Sequence, residues 1–391
     1  MSFFAQPSDI LVTCPKAMPP YLCAELAALG YPAEELPAGV LTRGTPTDCM
    51  RLNLHLRTGH RVLYQLHAFA APDPDALYGE LVALPWEDWI PVDGHVHIAS
   101  AVRNEHIRDT RFANLRCKDA IVDRINRVKG RRPDSGPDLR GAAVFLHWQE
   151  SDARIYLNTS GEPLQRRGYR LIPHRAPLQE TLAAAIILAM QWPEAGHFVN
   201  PMCGSGTLAI EAALMRLHRA PGLIRDAYAF RHLLGFPARA WEDMRHEAQA
   251  QAREWLEGEI IATDHDPKAV DAARRNARAA GVERAIRFQV CDFRETHVPE
   301  GTGVVVFNPE YGERLGFQRE LEAVYAGIGD FFKARCQDYT GYVFTGNPGL
   351  AKKVGLRARR RTPFFNSKIE CRLLEYELYA GSRREPKADG A

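Results

Sequence analysis

The segment Val305-Val306-Phe307-Asn308-Pro309-Glu310-Tyr311-Gly312 has the residue types that most directly suggest chemistry. An exocyclic amine on a base has its lone pair delocalised into the ring. The Asn308 side-chain carbonyl and the Pro309 backbone carbonyl can accept both of its N–H bonds. That favours a nitrogen closer to sp³, with its lone pair free to attack an electrophile. Tyr311 offers a π-face on which an extruded base can stack. Asn308, Pro309 and Tyr311 are therefore the candidate catalytic residues. Taken alone, the segment could also be a simple turn after a strand.

Three further segments, earlier in the chain, suit a bound cofactor. Phe198 to Thr207 reads as a strand, a Gly204-x-Gly206 turn and the start of an Ala/Leu-rich helix. Glycines permit positive φ and let a ligand approach the backbone, and a helix N-terminus offers free N–H groups. An ordinary tight turn would have the same pattern. Asp264, in Thr263-Asp264-His265-Asp266-Pro267, ends the next strand and is placed to accept hydrogen bonds from ribose hydroxyls. Asp266 before Pro267 reads instead as a helix N-cap. In Cys291-Asp292-Phe293, the acid can bind an adenine amino group and the ring can pack on the base; a solvated acid beside a core Phe is the alternative. The candidate cofactor set is Asn200, Pro201, Cys203, Gly204, Gly206, Thr207, Asp264, His265, Asp292, Phe293 and, again, Asn308.

These segments need a scaffold that brings strand ends together. From Pro177 on, the pattern alternates. Strands are expected over 197–200, 259–263, 286–290, 304–307, 342–345 and 372–379, with helices over 179–191, 207–219, 267–280 and 321–334. Such alternation indicates a doubly wound, mostly parallel sheet. The glycine turn and Asp264 are further apart than a dinucleotide fingerprint allows, so residues 220–258 read as a largely helical insertion. Before residue 175, short strands (10–14, 40–42, 61–67, 95–100, 143–149, 153–158) mix with helices (21–29, 77–84, 118–128), which suggests small α+β modules.

Composition excludes several classes. The chain has 391 residues, 25% charged and 46% hydrophobic, which fits neither a disordered tail nor a coiled coil. The longest apolar run, Leu182–Met190, is about half of what a bilayer requires. The N-terminus shows no leader pattern, so a cytoplasmic setting is expected. Eight scattered cysteines without a C-x-x-C pair argue against a zinc ribbon or a disulfide framework. His95 and His97 share a strand face with no further ligand cluster nearby, so no metal site is expected, and Trp86 and Trp89 read as core or interface residues. A net charge of +2 hides local excesses. Residues 103–132 hold ten Lys/Arg against four acids, and residues 352–372 hold eight against one. Arg166, Arg167, Arg170 and Arg175 add a third cluster. Such clusters suit a phosphate backbone, although solvated faces with distant acidic partners look the same.

The chain resembles the class I S-adenosylmethionine-dependent methyltransferases, and more narrowly the THUMP-containing guanine-N2 methyltransferases of bacterial 23S rRNA. The resemblance covers nearly the whole chain. It is carried by Arg167-Gly168-Tyr169-Arg170, Ala176 to Ala183, Cys203 to Thr207, Asn308-Pro309, Tyr311 to Gly316 and Ile369 to Leu374. It implies an α/β fold: a Rossmann-like methyltransferase domain with a mostly parallel seven-stranded sheet (169–391), preceded by a ferredoxin-like subdomain (1–60) and a THUMP RNA-binding domain (61–168). It implies S-adenosylmethionine as cofactor and 23S rRNA as partner, with tRNA as the alternative. The expected RNA-binding residues are Arg124, Arg127, Lys129, Arg131, Arg132, Arg166, Arg167 and Arg170. In some bacteria the resemblance is to one half of a bifunctional protein, and no second methyltransferase half is seen here. Two positions depart from the family pattern: Asn200 stands where an Asp is usual, and Glu310 where a second Pro is usual. They keep open a non-catalytic RNA-binding or ribosome-assembly factor. An adenine-N6 DNA methyltransferase is a further rival.

Overall fold

The computed structural model describes residues 2–105, 107, 109–172, 178–311 and 318–379. Arg108, one of the cations of residues 103–132, and Arg175, Ala176-Pro177 and Gly312 to Gly316, singled out above, lie outside the described residues. The chain forms two compact units. One comprises residues 1–168 together with 218–252, the other residues 169–217 together with 253–391.

The first unit is built on an eight-stranded sheet. Its strands are β1 (Ser8–Thr13), β2 (Glu34–Leu36), β3 (Gly39–Gly44), β4 (Arg61–Ala70), β5 (His95–Arg103), β6 (Asp134–Ser135), β7 (Ala142–Gln149) and β8 (Asp152–Asn158). Their order is β2-β3-β1-β4-β8-β7-β5-β6. Helix Thr110–Lys129 starts at Asp109, whose side chain accepts from the Arg111 N–H, and stops at Gly130 in the left-handed region. It buries Ala113, Cys117, Ala120, Ile121, Val122 and Ile125 on one face. Its last turn, with Arg127 and Lys129, is exposed. Trp86 is fully buried and donates its indole N–H to the Leu81 carbonyl at 2.6 Å, while Trp89 packs edge-on to it, so both serve the core.

Residues 218–252 interrupt the second unit in sequence but pack with the first. They form two 3-10 turns, Pro221–Ile224 and Ala229–His232, and the helix Ala238–Ala250. The insertion is therefore real but less helical than expected. Its anchor is Arg225, whose guanidinium donates to the carbonyls of Ser160, Glu162, Pro163, Arg166 and Ala227 at 2.9–3.4 Å. Gly222 comes so close to Leu54 that a Cβ would lie 2.6 Å from its Cα.

The second unit holds β9 (His197–Pro201), β10 (Ile260–Asp264), β11 (Ile286–Val290), β12 (Gly303–Phe307), β13 (Tyr339–Thr345), β14 (Arg360–Asn366) and β15 (Ile369–Glu377). The order is β11-β10-β9-β12-β13-β15-β14. The strands β9 to β13 are parallel, and β15 runs antiparallel to both β13 and β14. This is the expected seven-stranded sheet. β10 and β12 are buried along their whole length, as central parallel strands covered on both faces must be. That explains the run Gly303-Val304-Val305-Val306-Phe307. The strand β14, unforeseen in the sequence, is an edge, and its Arg360, Arg361 and Pro363 suit that place.

Candidate active site

After β9 the chain turns one way, to β10 and β11, and then crosses back to β12 and β13 on the other side. The strand order therefore reverses between β9 and β12, and ligands of such sheets bind beyond the C-terminal ends of the strands at that point. All four chemical segments lie there. Asn200 and Pro201 end β9, Asp264 ends β10, Asp292 follows β11, and Asn308 follows β12. Val199 pairs with Val305, so Asn200 and Asn308 stand on neighbouring strand ends.

The glycine turn is closely determined. The Cys203 N–H donates to Thr263 O at 2.9 Å, and the Gly206 N–H to Cys203 O at 2.9 Å. The Gly204 N–H donates to the Asp264 carboxylate at 2.9 Å. Gly204 sits at φ 55, and a Cβ there would meet nothing within 4 Å, so its face is open. Gly206 sits at φ 84 and needs its missing side chain for another reason: a Cβ would lie 2.9 Å from that of Ala273. Thr207 is buried as the first residue of helix Thr207–Arg216. Burial, and next the Asp264 charge, push the Cys203 thiol pKa up, so it is an inert small residue here.

Asp264 is 8% exposed, and its second oxygen accepts from the Asp266 N–H at 3.0 Å. A carboxylate has about four acceptor sites, so capacity remains for a ligand. His265 is exposed, with its Nδ1 3.5 Å from Asp264. Asp266 caps its helix by accepting from the Lys268 N–H, as expected.

Two buried side-chain oxygens stand out. Asn200 donates its amide N–H to Val306 O at 2.9 Å, which fixes the amide's orientation and leaves Oδ1 without a partner. Asn308 Oδ1 is likewise buried and unpartnered. A buried acceptor left unpaired costs about 1–3 kcal/mol. Two such oxygens at the ends of adjacent strands are what a site awaiting N–H donors would contain.

Tyr311 is half-buried. Its hydroxyl accepts from Asn366 Nδ2 at 2.8 Å and from the Cys371 thiol at 3.8 Å, and its ring rests on Gly346. Burial pushes its pKa up to about 12. The Glu310 side chain is exposed, and its backbone carbonyl accepts from Tyr325 Oη at 3.5 Å.

Some expectations need correction. Phe293 is 7% exposed and packs edge-on against Phe307 and Phe331, so most of its ring is taken up by the core. Asp292 remains half-exposed, paired with Arg294 at 3.2 Å. Three of the expected RNA-binding arginines are structural. Arg124 grips Glu87 and holds that carboxyl below its usual range. Arg167 is 1% exposed and donates to the carbonyls of Arg57 and Leu164. Arg170 pairs with Glu180 at 3.0 Å and reaches Ser205 Oγ in the glycine turn at 3.5 Å. Arg166 is exposed, beside Glu162. Arg127, Lys129, Arg131 and Arg132 are exposed and make no ion pair among the described residues.

Asn276 was not foreseen. It is 1% exposed; its Oδ1 accepts from the N–H groups of Leu171 and Ile172, and its Nδ2 donates to Ser205 O at 3.2 Å. It ties residues 171–172 to the glycine turn. The available signal was a lone amide at a core-facing position of helix Pro267–Ala279, among Ala272, Ala273 and Ala277. No group of three His, Cys, Asp or Glu suited to a metal occurs among the described residues. No helix among them is long and apolar enough to cross a membrane.

Comparison with known proteins agrees with this arrangement. Residues 9–63 match the RlmL ferredoxin-like domain, and residues 71–157 match the THUMP domain. Two relatives are named ribosomal RNA large subunit methyltransferase K/L. That of Syntrophotalea carbinolica is 39% identical over 98% of this chain and 56% of its own length. That of Pseudomonas paraeruginosa is 34% identical over 98% of this chain and 55% of its own. The chain thus spans about half the length of these curated relatives. A methyltransferase solved in complex with SAH superposes with a TM-score of 0.86 at 27% identity, over 97% of this chain and 100% of that one. A protein from Listeria monocytogenes, described as an N6-adenine-specific DNA methylase, gives 0.85 at 29% identity, over 96% and 97%. The fold is a class I methyltransferase domain preceded by ferredoxin-like and THUMP domains. Residues 167–375 match the family described as RMKL-like, methyltransferase domain, and the chain belongs to that family.

Proposed function

We propose that this chain transfers a methyl group from S-adenosylmethionine to the exocyclic N2 amine of a guanine in 23S rRNA. The observation that carries the reading is the pair of buried, unpartnered oxygens, Asn200 Oδ1 and Asn308 Oδ1, at the point where the strand order reverses. S-adenosylmethionine brings an ammonium, ribose hydroxyls and an adenine amine, and the site has acceptors for each. Asn200 Oδ1 would take the ammonium, with dipole in place of charge, over the open face of Gly204. Asp264 would take the ribose, and Asp292 the adenine amine. When bound, the cofactor supplies the electrophilic methyl group. Asn308 Oδ1 and the Pro309 carbonyl then accept the N–H bonds of the target amine and orient its lone pair. Tyr311 keeps its proton and serves as a surface, not as a base. Glu310, facing solvent, leaves these acceptors unaltered.

We assign RNA binding to residues 61–168, with Arg127, Lys129, Arg131 and Arg132 as phosphate contacts, an N-terminal ferredoxin-like part to residues 1–60, and catalysis to residues 169–391 apart from the insertion 218–252, which packs with the first unit. The THUMP match and the names of the relatives favour RNA over DNA, and rRNA over tRNA. A cytoplasmic setting goes with that substrate. Labelling of purified rRNA, tRNA and DNA with radioactive methyl donor tests the reading, with nucleoside mass spectrometry of the product. N2-methylguanosine in rRNA is expected. Label in tRNA only, or N6-methyladenine in DNA, would move the substrate. Calorimetric cofactor binding with no transfer to any of them would leave a non-catalytic RNA-binding factor.

A further inference from the structure

The catalytic sheet ends in the antiparallel ribbon β14–β15, with β14 as its edge. Residues 352–372 carry eight Lys/Arg against the single acid Glu370. Three of these cations are neutralised locally: Lys353 by Glu322, Arg360 by Glu375 and Arg372 by Glu370. The other five, Lys352, Arg357, Arg359, Arg361 and Lys368, are exposed and make no ion pair among the described residues. Arg359 and Arg361 lie two residues apart on one face of the ribbon, about 7 Å along the strand. Pro363 and the arginines discourage another strand from pairing with this edge, so a β-partner is not what it invites.

The tip of the ribbon leads into the site. The chain reverses at Ser367, at φ 58, and presents Lys368 beside Ile369, which is 51% exposed. Asn366 Nδ2 and the Cys371 thiol both donate to Tyr311 Oη. Ile369 packs on the Gly346 backbone, the same surface on which the Tyr311 ring rests. Lys368 at the tip thus stands beside an exposed aliphatic side chain that shares the Gly346 surface with the Tyr311 ring, while Arg359 and Arg361 lie further back along the edge, Arg361 on the face of Leu374 and opposite that of Asn366 and Cys371. Phosphates beside the cations of this edge and a base near its tip match these chemistries.

We propose that the β14–β15 ribbon is a second RNA-binding surface, which holds phosphates flanking the target nucleotide and directs the strand to Tyr311. It rests on the reading that the substrate is RNA. The test uses the whole chain and a fluorescein-labelled 20-nucleotide RNA stem-loop, with anisotropy titrations across a series of KCl concentrations. Arg359→Ala/Arg361→Ala/Lys368→Ala is compared with the unaltered chain and with Arg239→Ala/Arg335→Ala, which removes exposed charge elsewhere. Each lost contact to single-stranded RNA lowers the salt slope by about 0.7, so the triple variant should lose about 2. Calorimetric titration with S-adenosylhomocysteine should be unchanged, showing an intact fold. A triple variant with the unaltered slope overturns the proposal, as does an equal loss in the control. So does poly-glutamate competing as well as RNA per charge, which would mark the ribbon as a site for an acidic protein. An unaltered chain that binds no stem-loop at any salt would instead sink the RNA reading itself.

Discussion

The two halves of the site are built in different ways. The glycine turn is held by a dense set of bonds: Cys203 to Thr263, Gly204 to Asp264, Gly206 to Cys203, and Ser205 to both Arg170 and Asn276. The segment Asn308–Tyr311 has few. Tyr325 bonds the Glu310 carbonyl, Asn366 and Cys371 hold the Tyr311 hydroxyl, and Asn308 Oδ1 is unpaired. The first half is preorganised, so little ordering cost should fall on a cofactor binding there. The second is held at its far end by a hairpin and keeps its key acceptor free. One half is shaped by its own scaffold, and the other is to be completed by its substrate.

The sharpest way to break this contrast is Asn308→Ala. Loss of a preorganised hydrogen-bonding group should lower kcat about 10²- to 10³-fold, while calorimetric cofactor affinity stays within a few-fold. A comparable loss of cofactor affinity would merge the two halves. Asp264→Ala should act in the opposite sense. Hydrogen bonds to a charged group are worth about 1.5–3 kcal/mol, so cofactor affinity should fall by an order of magnitude or more, and the turn should loosen as the Gly204 N–H loses its acceptor. Gly206→Ala must place a methyl group against Ala273 at positive φ. About 1–3 kcal/mol of stability should be lost, seen as a lower urea midpoint. Asn366→Ala removes one bond to Tyr311, worth about 1 kcal/mol. A several-fold drop in kcat with unchanged cofactor binding is expected, and rescue by Asn366→Gln would show that the bond matters. The smallest effect should come from Tyr311→Phe in a pH series. The folded hydroxyl titrates near 12, above the usual 10. It stays protonated below pH 10, so the two pH–rate profiles should run parallel there. As pH rises from about 10 towards 12, the unfolded chain ionises first, and the native protein loses the stability that Tyr311 contributes. The variant should lose slightly less.

The legibility of the sequence followed the same division. Elements defined by their own residues were readable. The run Ile286–Val290 gives a strand of that extent, and Asp266-Pro267 starts a helix as a cap and first residue should. The glycine turn, Asp264 and Asn308 are set by strand ends, and strand ends follow from the alternation. Features that depend on a distant partner were not readable. Arg167 and Arg170 look like Arg166 in sequence, yet burial against carbonyls and Glu180 makes them structural. Phe293 follows an acid at a strand end in the manner of a ligand contact, but Phe307 and Phe331 claim its ring. Strand β14 was hidden because arginines and a proline are poor strand formers, and only pairing to β15 makes them one. Net charge misled most: the cations that matter are those left without acids nearby, which a count cannot tell.

The placement of residues 218–252 bears on how the protein is made. The first unit lacks the Arg225 guanidinium and the aromatic cluster of Tyr228, Phe230 and Trp241 until those residues have been synthesised. At 5–20 residues per second, the 84 residues between positions 168 and 252 take about 4–17 s to appear. Within that interval β9, its glycine turn and the helix Thr207–Arg216 are made without the rest of their sheet. Synthesis therefore does not deliver one finished unit and then the other. Both are incomplete at the same time, and a ribosome stalled between positions 217 and 252 would display two unfinished cores, an entry point for chaperones.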